Sequence, residues 1–376
     1  MSRLKQLHEF GQAPWLDFVE RGFLEQGRLA RLVEEDGITG VTSNPSIFEK
    51  AMGQGDAYDA QFASVLAGDS AADANTVYEA LAIEDIRSVA EALHPVFDRT
   101  GGKDGYVSLE VSPYLANDTD GTIAEARRLW QTVDRPNLMI KVPGTEAGVP
   151  AIRTLIEDGI NVNVTLLFAI EAYQAVAHAY AEGLEARVAA GKPVDGIASV
   201  ASFFVSRIDT KIDAEIDRRI ASGDEDADAL KALRGKVAIA NAKAAYAWYE
   251  DFIASDRWQA LVAEGAMPQR LLWASTGVKD PAYPDTLYVD TLIGPDTVNT
   301  LPPATMDAFR DHGTAQGTLT DGAEEAKQVL ADAERLGLNL AGVTDDLVEE
   351  GVRAFATSAD TLLGAVEEKR KRLSAG

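Results

Sequence analysis

Short apolar runs, each followed by a longer stretch of helical period, recur along this chain of 376 residues, and that alternation constrains its fold more than any other feature. The runs predict strands near Trp15–Val19, Gly40–Ser43, Tyr106–Ser112, Leu138–Val142, Asn161–Leu167, Gly196–Phe204, Arg270–Ser275 and Thr297–Leu301. Amphipathic stretches between them predict helices at Thr122–Val133, Ala147–Glu157, Ile170–Ala190 and Leu230–Ile253. Strands alternating with helices imply parallel βαβ units. Eight such units close most naturally into an α/β (β/α)8 TIM barrel, whose site lies at the carboxyl ends of the strands. A doubly wound open sheet competes less well, because no Gly-x-Gly-x-x-Gly follows the first strand. From about Asp307 onward the pattern reads as a C-terminal helical extension. No stretch rich in Pro, Gly or Ser marks a linker, so residues 1–376 read as one barrel domain carrying additional helices at about 307–376. Thr122 with Glu125 has the form of a capping box, and Thr145 after Pro143-Gly144 that of a helix N-cap. Gly53–Asp73 and Gly101–Gly105 read as surface loops or short helices.

The fourth run carries an anomaly. Leu138-Met139-Ile140-Lys141-Val142-Pro143 is short and continuous, so it reads as a strand buried on both faces. A lysine in such a place has either a partner or a purpose. Desolvation disfavours an ammonium and can lower its pKa by up to ~3–5 units, which leaves a nucleophilic amine near neutral pH. Such an amine attacks ketones to form Schiff bases. A salt-bridged core lysine, or one that snorkels to the strand end, are the alternatives.

Composition excludes several chemistries. With no cysteine, thiolate nucleophiles, thiolate metal sites and disulfides are ruled out. A formal net charge of −25 argues against nucleic acid and anionic membrane as partners. No run approaches the roughly 18 apolar residues of a membrane span, and the first residues lack the apolar core of a signal peptide, so the expected location is cytoplasmic. An anionic substrate must find local cations against that overall field.

Residues two apart on a strand share a face. Asn161, Asn163 and Thr165 therefore fall opposite Val162, Val164 and Leu166, and Ser108, Glu110 and Ser112 opposite Val107, Leu109 and Val111. Asp17 lies in the first strand, Asn44 ends the second, and Ser202 and Phe204 share a side of the sixth. A single hidden carboxylate is an ordinary structural anchor. An amine, two carboxyls and several neutral donors at successive strand ends form a set suited to covalent and proton-transfer chemistry. His8, His94, His178 and His312 all fall away from the strand ends and read as surface or packing residues, so neither a histidine base nor a metal site is expected. The acidic runs Gly223–Asp228 and Asn117–Gly121 lack the register of a calcium loop.

Four segments carry a resemblance: GVTSNPSIFEKAM, SLEVSPYLANDTDGTIAEARRLW, NLMIKVPGTEAGVPAIRTLIEDGINVNVTLLF and ASFFVSRID. They resemble the signature segments of transaldolases, in order and at family spacing, from about Asp17 to Pro302. The likeness is to the longer branch of that family, which has insertions and a helical C-terminal extension. It implies a (β/α)8 barrel that needs no cofactor and moves a dihydroxyacetone unit between sugar phosphates in the pentose phosphate pathway. The implied donors are fructose 6-phosphate and sedoheptulose 7-phosphate, the acceptors erythrose 4-phosphate and glyceraldehyde 3-phosphate. By the same resemblance Lys141 is the Schiff-base lysine and Asp17 the acid/base acting on the C4 hydroxyl. Glu110 and Thr165 position a water, Asn44 and Asn163 hold the intermediate, and Ser202 orients its dihydroxyacetone part. In the related fructose 6-phosphate aldolases a tyrosine stands where Phe204 aligns, so Phe204 points to the transferase branch.

Arg207 matches the family's phosphate-binding arginine; read alone, a strand-end arginine equally pairs with a neighbouring carboxylate. After the seventh strand, Ala274-Ser275-Thr276-Gly277-Val278-Lys279 departs from the family's Ala-Ser-Phe-Arg pattern, with Gly277 in the place of the second arginine. Lys279, with Ser275 and turn amides, is the expected substitute. The rivals to a transferase are a class I aldolase releasing free dihydroxyacetone, a non-catalytic barrel that only binds, and a metal-dependent aldolase. Monomer and homodimer are both open.

Overall fold

The computed structural model describes residues 2–53 and 56–374. Eight strands, β1 (Gln12–Asp17), β2 (Gly40–Thr42), β3 (Tyr106–Glu110), β4 (Leu138–Pro143), β5 (Val162–Leu167), β6 (Ser199–Phe204), β7 (Arg270–Ala274) and β8 (Thr297–Leu301), pair in parallel and in sequence order into a closed barrel. The fold is thus the expected (β/α)8 barrel with a helix at its C-terminal end. Every residue of β4 and β5 is buried. Full burial of Ile140, Val142, Val162 and Val164 contributes roughly 1.5–3 kcal/mol each. The register sets Glu110 beside Lys141 and Lys141 beside Asn163, so three predicted residues lie in one row around the barrel.

Several local expectations need correction. Leu230–Ile253 is two helices, Ala227–Leu233 and Val237–Ala254. The break is at Gly235, where φ is +68°, the amide donates to Asp213 Oδ1 at 3.1 Å, and a Cβ would lie 2.8 Å from the Tyr283 ring. Helical period alone does not reveal a turn that tertiary contacts impose. The capping box is not formed: the helix starts earlier, at Thr119, capped by Asp118, which accepts from the Gly121 amide. Thr122 instead donates to Leu115 O, and Glu125 accepts from Ser112 N. Thr145 does act as a cap, accepting the Gly148 amide at 3.0 Å.

The loop Gly101–Gly105 is not purely superficial, since Asp104 is buried and accepts from Trp15 Nε1 at 2.9 Å. Within Gly53–Asp73 a helix forms at Asp59–Gly68, while residues 54 and 55 lie outside the described residues. After β8, the helix Pro303–His312 packs on β1 and β8, Ala323–Arg335 packs on Val237–Ala254, and Leu340–Ser374 contacts β5 and the helices Pro45–Gly53 and Ala74–Thr100. Among the described residues no helix is long and apolar enough to cross a membrane.

Candidate active site

Lys141 is enclosed, with 4% of its surface exposed. Its Nζ lies 3.3 Å from Glu110 Oε2 and donates to Ser43 O at 3.2 Å. Of the readings left open for a strand lysine, the structure therefore has the paired one, and the partner is a predicted site residue. Burial raises the pKa of Glu110 above the usual carboxylate range, with Lys141 acting in the opposite direction. Among the described residues neither Glu110 oxygen has a hydrogen-bond partner besides this ion-pair contact, and Thr165 Oγ1 has none. A buried carboxyl with raised proton affinity next to an ammonium is placed to take its proton and free the amine.

Asp17, at the end of β1, is also pushed up by burial, against the opposing effects of Lys141, Thr42 and Arg207. Thr42 Oγ1 donates to Asp17 Oδ1 at 2.6 Å and lies 2.7 Å from Thr300 Oγ1. Asn163 Nδ2 donates to Ser108 Oγ at 2.9 Å, and Ser202 Oγ donates to Asn163 Oδ1 at 2.7 Å. Ser43 Oγ donates to Ser108 O, which ties the second strand end to the third. Asn44 spends its Oδ1 on the Ile47 amide, capping the helix Pro45–Gly53; its amide nitrogen is the group left for a ligand.

The sixth strand ends in an aromatic pair, Phe204 with Phe168, ring centroids 5.2 Å apart. The guanidinium of Arg207, in the first turn of Ser206–Ala221, lies 5.2 Å from the Phe204 centroid, and burial lowers its pKa. Ser275 Oγ is 3.0 Å from Ser206 Oγ, and Ser275 takes a positive φ of 55°. The charge of Arg207 acts on Asp17. Lys279 is exposed on the same loop as Ser275 and is not drawn into the cluster. The four histidines lie elsewhere; His178, for instance, packs edge-on against Trp248 and Phe252.

A barrel mouth holding a buried Lys–Glu pair, an adjacent carboxyl and a half-buried arginine invites comparison with known proteins. Residues 14–366 match the family model described as transaldolase/fructose-6-phosphate aldolase. The chain belongs to that family.

The chain is 48% identical to Transaldolase 2 of Nostoc sp. (strain PCC 7120 / SAG 25.82 / UTEX 2576), across 100% of this chain and 99% of the relative. It is 50% identical to a transaldolase of Thermobifida fusca (strain YX), across 98% of both chains. A transaldolase of Thiobacillus denitrificans (strain ATCC 25259 / T1) is 49% identical over 97% of this chain and 100% of its own length. Membership makes the chain an enzyme, and relatives matched over nearly their whole length put it with the transaldolases of the family.

Two features of the site escaped sequence reasoning. Thr42 holds Asp17 and Thr300 contacts Thr42 in turn, and only the β1–β2 register, Asp17 beside Thr42, could have suggested the first of them. In β5 the alternation fails after Thr165: the register shifts between Val164 and Leu167, and Leu166 sits at φ +61°. Leu166 therefore does not share the outward face of Val162 and Val164. A bulky residue in that region is strained, and such strain gathers around functional sites.

Proposed function

We propose that this chain transfers a dihydroxyacetone unit from sedoheptulose 7-phosphate or fructose 6-phosphate to glyceraldehyde 3-phosphate or erythrose 4-phosphate, through a Schiff base on Lys141. The observation that carries the reading is the buried contact of Lys141 Nζ with Glu110 at the mouth of the barrel. Glu110 takes the proton of Lys141, and the freed amine adds to the ketone carbon of the donor. Glu110 and Thr165, whose side-chain oxygens are buried with no hydrogen-bond partner among the described residues beyond the Lys141 contact, hold the water formed when the carbinolamine collapses to the iminium. Asp17 removes the C4 hydroxyl proton, the C3–C4 bond breaks, and an aldose phosphate leaves. The iminium accepts the bond's electron pair as an enamine, so no free carbanion forms. A second aldehyde then takes the enamine carbon, Asp17 returns its proton, and water releases the new ketose. These steps balance without a cofactor.

Ser202 and the amides of Asn163 and Asn44 orient the three-carbon unit. Phe204 forms an apolar wall, and Arg207, Ser275 and Lys279 take the phosphate. Charged sugar phosphates do not cross membranes unaided, which supports a cytoplasmic site of action.

The test is borohydride reduction in the presence of fructose 6-phosphate, followed by peptide mass mapping. Stable mass on the peptide containing Lys141 is expected; label on another lysine, or none, overturns the reading. The family description also covers aldolases, and turnover without an acceptor aldehyde would assign the chain to that reaction instead.

A further inference from the structure

The last helix of the chain reaches the reacting nitrogen. Phe355, on Leu340–Ser374, is 6% exposed, and its ring centroid lies 5.6 Å from Lys141 Nζ. The ring is held by the way this helix is seated. Gly351, one turn earlier on the same face, presses on Leu166, whose Cδ2 would lie 2.7 Å from a Cβ at that position. The strained backbone of β5 thus turns the Leu166 side chain toward the helix that bears Phe355. Ser358 Oγ is 2.6 Å from Ser46 Oγ, Glu350 is 2.6 Å from Lys211 Nζ, and the Tyr114 hydroxyl donates to Asp360. These three ties reach separate elements around the mouth: the helix after β2, the helix after β6, and the turn after β3.

We propose that Phe355 is a further specificity-determining residue of this site, a proposal that rests on the Schiff-base reading above. The lysine nitrogen is cationic as an ammonium and again as an iminium. The negative face of an aromatic ring favours both states. Between the donor iminium and the product iminium lies the neutral enamine, which must meet an aldehyde before it meets a proton. If the enamine carbon takes a proton from water, the iminium formed adds the remaining hydroxide. The C–N bond then breaks, and free dihydroxyacetone leaves with the Lys141 amine restored. An apolar ring over the nitrogen has no exchangeable proton to give and excludes water from that side, so it favours transfer over release.

The experiment uses the full chain and its Phe355→Ala and Phe355→Leu variants, with fructose 6-phosphate as donor and glyceraldehyde 3-phosphate as acceptor. It measures the ratio of free dihydroxyacetone to transfer product, and the borohydride label on Lys141 at one donor concentration. The ratio is internal, so a smaller amount of folded protein does not move it. Phe355→Ala should raise it about fivefold. Phe355→Leu, which keeps an apolar cover without the ring face, should leave the ratio near that of the parent while lowering the label about threefold, the effect of one cation–π contact. Ratio and label both unchanged in Phe355→Ala would overturn the proposal. If that variant does not fold, an unchanged label in Phe355→Leu overturns it instead. Absence of label in the parent chain sinks the Schiff-base reading and this proposal together, whereas label in the parent with unmoved variants sinks this one alone.

Discussion

The two ends of the barrel treat their buried polar side chains differently. At the amino end, Asn161 donates to Pro136 O and Leu138 O at 3.1 Å each and accepts from the Ala198 amide at 2.9 Å. Asn137 donates to Ala90 O and Gly105 O, and Gln12 to Leu292 O. Main-chain groups dominate these contacts, and they do not rotate. At the carboxyl end, Asn163 is held by the hydroxyls of Ser108 and Ser202, Asp17 by that of Thr42, while Thr165 Oγ1 has no hydrogen-bond partner among the described residues. Hydroxyls can turn toward a ligand, whereas main-chain carbonyls and amides fixed in the sheet cannot. One residue type thus serves as a strut at Asn161 and as part of a site at Asn163, two positions apart.

The largest effect is expected from a carboxyl at the mouth. Asp17→Asn should lower turnover by about 10²–10⁴-fold, the usual worth of a positioned general base. As the proposed base, Asp17 must be deprotonated to act, and burial raises its pKa above 3.8. Turnover of the parent should therefore fall as pH drops through a point above the ordinary aspartate range. A pH–rate profile that keeps this acid limb in Asp17→Asn would assign the limb, and the base, to another group.

A pair of variants tests the comparison directly. Asn161→Ala should lose about 1–3 kcal/mol of stability, because it strands main-chain partners, with kcat/KM of the folded fraction changed less than about threefold. Asn163→Ala should do the reverse, with kcat/KM down roughly ten- to hundredfold and a smaller stability loss. Urea unfolding together with steady-state kinetics decides the matter, and equal effects of both substitutions on both measurements would erase the contrast between the two ends.

Lys279 lies at the rim, so its effect should be the smallest. Lys279→Ala is expected to raise KM for fructose 6-phosphate about fivefold at low ionic strength, with kcat unchanged and the difference shrinking as salt screens the charge. An unmoved KM would leave the phosphate to Arg207 and Ser275.

Much of this was legible along the chain. All eight strands appeared as apolar or alternating runs, and β8 matches its expected bounds. The row Glu110, Lys141, Asn163 was readable as polar residues in otherwise buried strands, because a polar group in a parallel core strand conflicts with its neighbours. The helix break at Gly235 and the cap at Asp118 were not readable. Each depends on contacts with segments distant in sequence, or on a choice between two nearby side chains of similar capping strength. Phe355 carried no signal of its own, since an apolar residue at helical spacing looks the same whether it covers a core or a buried lysine.

Local sequence therefore determined the alternation of strands and helices, the burial of Lys141 and the kinds of groups available at the strand ends, because period and side-chain polarity act over a few residues. Which of these groups touch was decided by the closed barrel. Its register set Glu110 against Lys141, its bulge turned Leu166 toward the last helix, and the packing of that helix brought Phe355 near the Lys141 nitrogen. Those outcomes follow from closure and packing, which depend on the whole chain at once.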